Sequence, residues 1–288
     1  MKILVTGATG FIGSHLLPAL TDAGHEVVAL ARDGRGLAGR DAIAVVEADL
    51  SRPLDRGTIP AVDAAIHLAQ ANVPFPDGAR ELFRVNLLST QELLEAAREA
   101  GATRFLYTSS GSIYGLGEGA VAEDDPRRAT DFYPATKQAS EALVRAYAPF
   151  FGTTILRPFA PYGPGQNGRL IPGLIGRVRD GRPVTLNGGG RPRLTPIFVD
   201  DAVRVILAAL ETDGNHLVNL AGDEVVSIRD LGELIGEALD REPVFEDGGS
   251  GAGDLIGLNA RMHELYSPGR LVPLRDGLRA TVLAEAIA

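Results

Sequence analysis

A doubly wound α/β fold, with a parallel sheet and a smaller region toward the C-terminus, is what this sequence predicts. Three observations point to it. Short apolar runs alternate with longer helix-patterned segments through the first two thirds of the chain, the runs are continuously apolar rather than alternating, and a glycine-rich turn follows the first of them. Continuously apolar strands belong to sheets covered on both faces, and regular β–α alternation gives parallel neighbours joined by helical crossovers.

Taken in order, the strand candidates are "KILVT" (Lys2 to Thr6), "EVVAL" (Glu26 to Leu30), "AIAVVEA" (Ala42 to Ala48), "AAIHLA" (Ala64 to Ala69), "RFLYTSS" (Arg104 to Ser110) and "TTILRP" (Thr153 to Pro158). Helix candidates fall between them at Phe11 to Ala23, Ala79 to Ala100 and Tyr133 to Phe150. Past Pro158 the chain becomes loop-rich in "FAPYGPGQNGR" and "NGGGRPRLTP", around a helix candidate at Leu170 to Arg179. A strand "PIFV", a helix "DDAVRVILAALE", a further run "HLVNLAG" and a helix at Ser227 to Leu239 then resume the α/β pattern. The chain is therefore expected to return to the sheet before it ends. The expected division gives residues 1–158 and about 195–225 to one domain, and about 159–194 and 226–288 to a smaller region. "EDGGSGAGD" reads as a flexible connector.

With 45% hydrophobic and 23% charged residues the chain is globular in composition, and its 288 residues suffice for a sizeable core. A net charge of -9 disfavours a surface built to neutralise nucleic-acid phosphates. The absence of cysteine excludes disulfides, thiol nucleophiles and thiolate metal sites, and is compatible with a reducing compartment. No window approaches 18 uninterrupted apolar residues, so no membrane span is expected, and a cytoplasmic, soluble protein is. His15, His25, His67, His216 and His263 show no metal-ligand spacing and read as packing or surface residues.

"VTGATGFIGSHL" sets Gly7, Gly10 and Gly13 directly after the first strand and at the start of an amphipathic helix. A dinucleotide-binding turn needs glycine there: the chain turns tightly, the backbone approaches the pyrophosphate, and the helix packs close to the strand with its first N–H groups facing the phosphates. The Thr-Gly-x-x-Gly-x-x-Gly spacing resembles the extended branch of the short-chain dehydrogenase/reductase superfamily, the nucleotide-sugar epimerases, dehydratases and ketoreductases. "ILRPFAPYGPGQ", "TPIFVDDAV" and "SPGRLVPLRDGLRA" carry the resemblance across most of the chain.

That resemblance implies a Rossmann-type fold binding NAD or NADP through Gly7, Thr9, Gly10, Phe11, Ile12 and Gly13. It also places Asp49 and Leu50 beside the adenine, Ala69 and Gln70 beside the ribose, and Leu68, Asn86, Lys137, Tyr133 and Pro158 around the rest of the cofactor. From the residues alone, Asp49 serves equally as a turn cap and Asn86 as an exposed helix position. An acidic side chain ending the second strand would suit the ribose of NAD, and an arginine the extra phosphate of NADP. Ala31 stands at that place with Arg32 next, which favours NADP; after a one-residue shift, Asp33 would do the ribose work instead.

"DFYPATKQASE" holds Lys137, one of only two lysines beside 26 arginines. Tyr133 and Lys137 are spaced i, i+4 and share a helix face, and Pro134 between them is tolerable only in a first turn. A compact ammonium near a tyrosine favours its phenolate, which fits the tyrosine for proton transfer, and can reach ribose hydroxyls where a planar guanidinium would fit less well. "SSGSIYG", aligned to the family pattern, makes Ser110 the catalytic hydroxyl with Ser109 and Ser112 as substrate-side neighbours; Ser109 is the alternative. Ser110, Tyr133 and Lys137 form the expected triad.

Two departures bear on the substrate. Ala160 stands where the resemblance expects an asparagine near the substrate phosphates, and the later arginine is out of register, leaving Arg191 or Arg193 as candidate phosphate ligands. The resemblance implies hydride transfer at a sugar carbon, with a nucleotide sugar as partner, and a homodimer formed through the helices at Ala79 to Ala100 and Tyr133 to Phe150, whose apolar positions burial inside the monomer explains equally well. A non-catalytic dinucleotide sensor or scaffold on the same fold would not need the triad.

Overall fold

The computed structural model describes residues 1–37, 42–251 and 253–287. In chain order its strands are β1 (Lys2–Thr6), β2 (Glu26–Ala31), β3 (Ile43–Glu47), β4 (Ala64–His67), β5 (Arg104–Thr108), β6 (Ala120–Val121), β7 (Gly152–Pro158), β8 (Val184–Leu186), β9 (His216–Leu220), β10 (Phe245–Asp247) and β11 (Ile256–Gly257). The helices are α1 (Phe11–Asp22), α2 (Ala79–Phe83), α3 (Ser89–Glu99), α4 (Phe132–Ala146), α5 (Leu170–Arg179), α6 (Val199–Glu211), α7 (Ile228–Leu239), α8 (Ala260–Tyr266) and α9 (Leu274–Ile287). Among the described residues seven strands form one sheet in the order β3-β2-β1-β4-β5-β7-β9, and the pairings from β3 through β7 are parallel. This is the expected doubly wound sheet, and β9 is the expected late return to it.

The strand order reverses beside β1, whose neighbours are β2 and β4. In open α/β sheets such a reversal opens a crevice at the carboxyl ends of the strands, which puts the turns after β1 and β4 at the place where ligands bind. The strands hold there because they are buried on both faces: Ile3, Leu4 and Val5 are fully covered, each contributing about 1.5–3 kcal/mol by leaving water. α1 buries Gly13, Leu16, Leu17 and Leu20, a stripe with helical spacing.

The chain divides into two compact units. The first comprises Met1–Ile113, Arg128–Arg157 and Val203–Val218; the second comprises Tyr114–Arg127, Pro158–Ala202 and the residues from Asn219 on. These bounds differ from the sequence expectation mainly in giving Tyr114–Arg127 to the second unit. Each has its own core, the first around Leu4, Val28, Phe105 and Tyr107, the second around Tyr162, Ile175, Leu231 and Leu278.

Four sequence expectations are corrected. The helix expected over Ala79 to Ala100 is interrupted by a π turn, Arg84–Leu88, between α2 and α3. The helix expected over Tyr133 to Phe150 ends at Ala146, with Tyr147 as its C-cap, because the chain must turn into β7. "PIFV" is not a sheet strand: Phe198 makes a single bridge with Tyr162, and Val199 already begins α6, whose first turn gains Asp200 and Asp201 opposite the helix dipole. "EDGGSGAGD" is not a slack connector: it starts in β10, paired with β8, Gly248 N donates to Leu186 O, and its last residue, Asp254, is buried. Its Ala252 lies outside the described residues.

Candidate active site

The turn after β1 is shaped for close backbone approach. Gly7 has φ +69°, and a Cβ there would lie 2.7 Å from Ala69 N; a Cβ on Gly13 would lie 2.1 Å from Gly7 O. Gly10 caps α1 without a side chain, and the first turn of α1 has no acidic residue, so its amides suit an anion. Thr9 and Gly10 are exposed, whereas Phe11 and Ile12 are half-buried.

At the end of β2 Ala31 is buried and Arg32 exposed. The Asp33 carboxylate accepts from Arg35 N at 2.9 Å and Arg35 Nε at 2.7 Å, and these bonds hold its carboxyl below the usual carboxylate range. Asp49 Oδ1 accepts from Ser51 N at 2.9 Å, so this residue caps a turn, and Leu50 beside it is buried.

Beneath the turn, hydrogen bonds fix the histidine tautomer. Ala69 N donates to Thr6 Oγ1, which pairs with His67 Nδ1 at 2.7 Å; His67 Nε2 pairs with Thr90 Oγ1 at 3.0 Å, and Thr90 Oγ1 donates to Asn86 O at 2.7 Å. Because Thr90 spends its proton on Asn86, His67 Nε2 must be the donor and Nδ1 the acceptor. Burial keeps the ring neutral, its pKa pushed down to about 3, with Lys137 adding to the effect. No group of three metal-ligating side chains occurs among the described residues.

Asn86 is buried, not an exposed helix position. Its Oδ1 accepts from Ala71 N at 2.8 Å, and its Nδ2 donates to Ala71 O at 3.1 Å and Thr136 Oγ1 at 3.2 Å. Its carbonyl lies in the π turn, where the regular helix ladder is broken, and accepts from both Thr90 and Ser140 hydroxyls.

Tyr133 and Lys137 stand on the first turns of α4, with Pro134 buried between them. The Tyr133 hydroxyl donates to Gln70 Oε1 at 2.8 Å. Lys137 is 1% exposed; its Nζ donates to the carbonyl of Thr108 at 2.5 Å and lies 4.6 Å from the centre of the Tyr107 ring. Burial pushes its pKa down to about 7, opposed by the charge of Glu141 one turn on. Glu141 in turn receives Arg157 Nε and a second Arg157 nitrogen, both at 2.8 Å, in a fully buried ion pair. Burial works against the Glu141 charge, and Arg157 outweighs it, holding the carboxyl below its usual range.

Ser110 and Ser112 are half-buried and share a hydrogen bond of 2.8 Å between hydroxyls, and Ser112 N donates to Ser110 Oγ at 3.1 Å. Ser109 is buried, its N–H donating to Leu156 O. Pro158 ends β7. In the second unit, Arg193 donates from N, Nε and a terminal nitrogen to the buried Asp254, at 2.9, 3.0 and 2.7 Å, and Arg191 lies 3.6 Å from the same carboxylate. Ala160 has φ +40°, in the left-handed region. Sequence reasoning missed the Thr108 carbonyl, Thr136, and the Glu141–Arg157 pair, whose partners lie 16 residues or more away.

A family model described as "NAD dependent epimerase/dehydratase family" matches residues 3–221. The chain belongs to this family. It is thus an enzyme of the extended short-chain dehydrogenase/reductase class, and its glycine turn fits the nicotinamide dinucleotide the class uses. Among relatives, a dTDP-4-dehydro-6-deoxy-D-allose reductase of Streptomyces bikiniensis is 32% identical, over 97% of this chain and 94% of its own. A dTDP-glucose 4,6-dehydratase of Streptomyces griseus is 33% identical over 97% and 92%. Among solved structures, the UDP-glucuronic acid 4-epimerase of Bacillus cereus, in complex with UDP-glucuronic acid and NAD, superposes with TM-score 0.90 at 28% identity, covering 100% of both chains. Relatives named as a reductase and a dehydratase thus match this chain over nearly its whole length, and a solved epimerase shares its fold. No helix among the described residues is long and apolar enough to cross a membrane.

Proposed function

We propose that this family member transfers hydride at a carbon of a nucleotide sugar through its keto form, either reducing a 4-keto sugar or epimerising a hydroxyl. The observation that carries the reading is Lys137: a buried lysine donating to a main-chain carbonyl, one helical turn from Tyr133, in a chain with one other lysine and 26 arginines. Tyr133 exchanges the proton with the reacting sugar oxygen, Ser110 holds that oxygen, and Lys137 supports both the tyrosine and the cofactor ribose. Ser110 is favoured over Ser109 because it is the less buried of the two. Gly7 to Gly13, Leu50, Leu68 and Ala69 would hold the dinucleotide; when bound, it supplies the hydride donor or acceptor. Ser112, hydrogen-bonded to Ser110, serves the substrate side. The relatives' names, dTDP and UDP sugars alike, support a nucleotide sugar as substrate.

The cofactor preferred is NADP. Asp33, the alternative ribose ligand, is engaged by Arg35, while Arg32 is exposed. NADP in turn favours net reduction over redox-silent epimerisation. Exposed Phe83, Leu88 and Phe150, on or beside α2, the π turn and α4, support a homodimer, and the acidic, cysteine-free composition supports a cytoplasmic location.

Tyr133→Phe should abolish turnover and leave dinucleotide affinity unchanged; full activity would refute the role given to Tyr133. A panel of nucleotide sugars, free sugars and their 4-keto forms, offered with NADPH and NADH and followed by nicotinamide absorbance and product stereochemistry, separates reduction from epimerisation. Comparing dissociation constants tests the cofactor: tighter binding of NAD than NADP by the wild-type protein would reject the preference.

A further inference from the structure

The hydroxyl of Tyr133 is met by an amide. Gln70 follows β4 at the carboxyl end of the sheet, and its Oε1 accepts the phenol O–H at 2.8 Å. An ionised tyrosine could not keep that bond, since it has no proton to donate and a carbonyl oxygen would face its negative charge. A carboxamide differs from every other acceptor in carrying two donors on the same planar group. Turned over, Gln70 presents Nε2–H where Oε1 had been.

The mount on which this amide sits is fixed on both sides. Ala69 N donates to Thr6 Oγ1, and Ala71 is held at both its N–H and its carbonyl by the Asn86 side chain. The same Asn86 donates to Thr136 Oγ1, and Thr136 Oγ1 donates to the carbonyl of Tyr133 itself. The Tyr133–Gln70 bond is thereby the closing link of a ring running through Ala71, Asn86, Thr136 and the Tyr133 backbone. Both ends of the bond are referenced to one buried asparagine, so the scaffold fixes the backbone from which the exposed Gln70 side chain reaches the phenol.

We propose that Gln70 is a positioning residue for Tyr133: its amide oxygen takes the hydrogen bond of the phenol, and the same amide, turned over, donates to the phenolate. The inference rests on reading Tyr133 as the proton-transfer group, and it gives Gln70 a role distinct from the ribose contact that the family resemblance implies. The ionisable groups set around the phenol are Lys137 on its own helix and Tyr107 on β5. Neither changes in the substitutions below.

The test is a tyrosinate ultraviolet titration of the protein alone, with Tyr133→Phe subtracted to isolate Tyr133, repeated in Gln70→Glu and Gln70→Leu. Glutamate keeps size and acceptor but removes both donors and adds a charge, so Tyr133 should ionise about one pH unit or more higher. Leucine removes acceptor and donors together and should shift the titration less than glutamate does. In the activity profile of the Glu variant, the limb set by ionisation of Tyr133 should move the same way. An unmoved titration in Gln70→Glu overturns the inference, as does a dinucleotide affinity lowered about tenfold with the titration unmoved, which would return Gln70 to the ribose. Activity surviving in Tyr133→Phe would instead overturn the proposed function; an inactive Tyr133→Phe with an unmoved Gln70→Glu titration overturns the Gln70 inference alone.

Discussion

Two cations in the first unit are treated in opposite ways. Arg157 is fully buried against a carboxylate, with two hydrogen bonds of 2.8 Å to Glu141. Lys137 is as deeply buried, yet it donates to a peptide carbonyl and lies over an aromatic ring. A carboxylate pins a charge, and a carbonyl dipole leaves it cheaper to neutralise, which is why burial brings Lys137 down to about 7. The second unit repeats the first treatment, with Arg193 clamped on Asp254 by three hydrogen bonds. Charges that hold the fold are matched by charges; the one assigned to chemistry is matched by dipoles.

The largest effect should come from breaking the structural pair. Arg157→Met leaves a buried carboxylate that keeps its ion pair with half-exposed Arg145, and should lower stability by about 3–5 kcal/mol in urea unfolding. Adding Glu141→Leu should restore most of that loss. If Arg157→Met were neutral, the distinction between the two cations would collapse.

Lys137→Met should have little structural cost and a large functional one, with turnover reduced about 10²–10⁴-fold. Its stability effect has a definite pH signature. The folded lysine titrates near 7 and the unfolded one near 10.4, so between those values the unfolded chain binds more protons and wild-type stability rises with pH. The penalty is fully present below pH 7 and vanishes above about 10.4. Denaturation from pH 6 to 10 should therefore show wild type gaining on Lys137→Met as pH rises; parallel curves would mean that Lys137 is not desolvated. Lys137→Arg retaining full activity would show that charge alone suffices.

The smallest effect concerns backbone strain in the second unit. Ala160 occupies the left-handed region at φ +40°, which costs a residue with a Cβ about 1–2 kcal/mol. Ala160→Gly should raise stability by about 0.5–1 kcal/mol after the added chain entropy of glycine is counted, visible as a higher Tm. Asparagine tolerates this conformation better than alanine, so Ala160→Asn should gain a few tenths of that.

What could be read from the sequence was what short range encodes. Continuous apolar runs gave the strands, Gly7 and Gly13 marked the close approach after β1, and the i, i+4 pair with Pro134 located the start of α4. The partners that make those residues a site are different in kind. Gln70 meets Tyr133 across 63 positions, Arg193 meets Asp254 across 61, and the acceptor of Lys137 is a main-chain carbonyl that no side-chain pattern records. The π turn was invisible because "FRVNLLSTQELLEAA" keeps helical composition throughout; the extra residue of its wider turn falls where Asn86 is buried.

That extra residue acts as a phase shift. At 3.6 residues per turn, one residue corresponds to about 100° of rotation, so the face that α3 presents is offset from the face α2 would have continued. Leu93, Leu94 and Ala97, downstream of that shift, lie in the core of the first unit. A chain shortened by one residue within Arg84–Leu88 could close an ordinary helix there, and it would then have to choose between keeping Asn86 under the site and keeping Leu93 and Leu94 out of water.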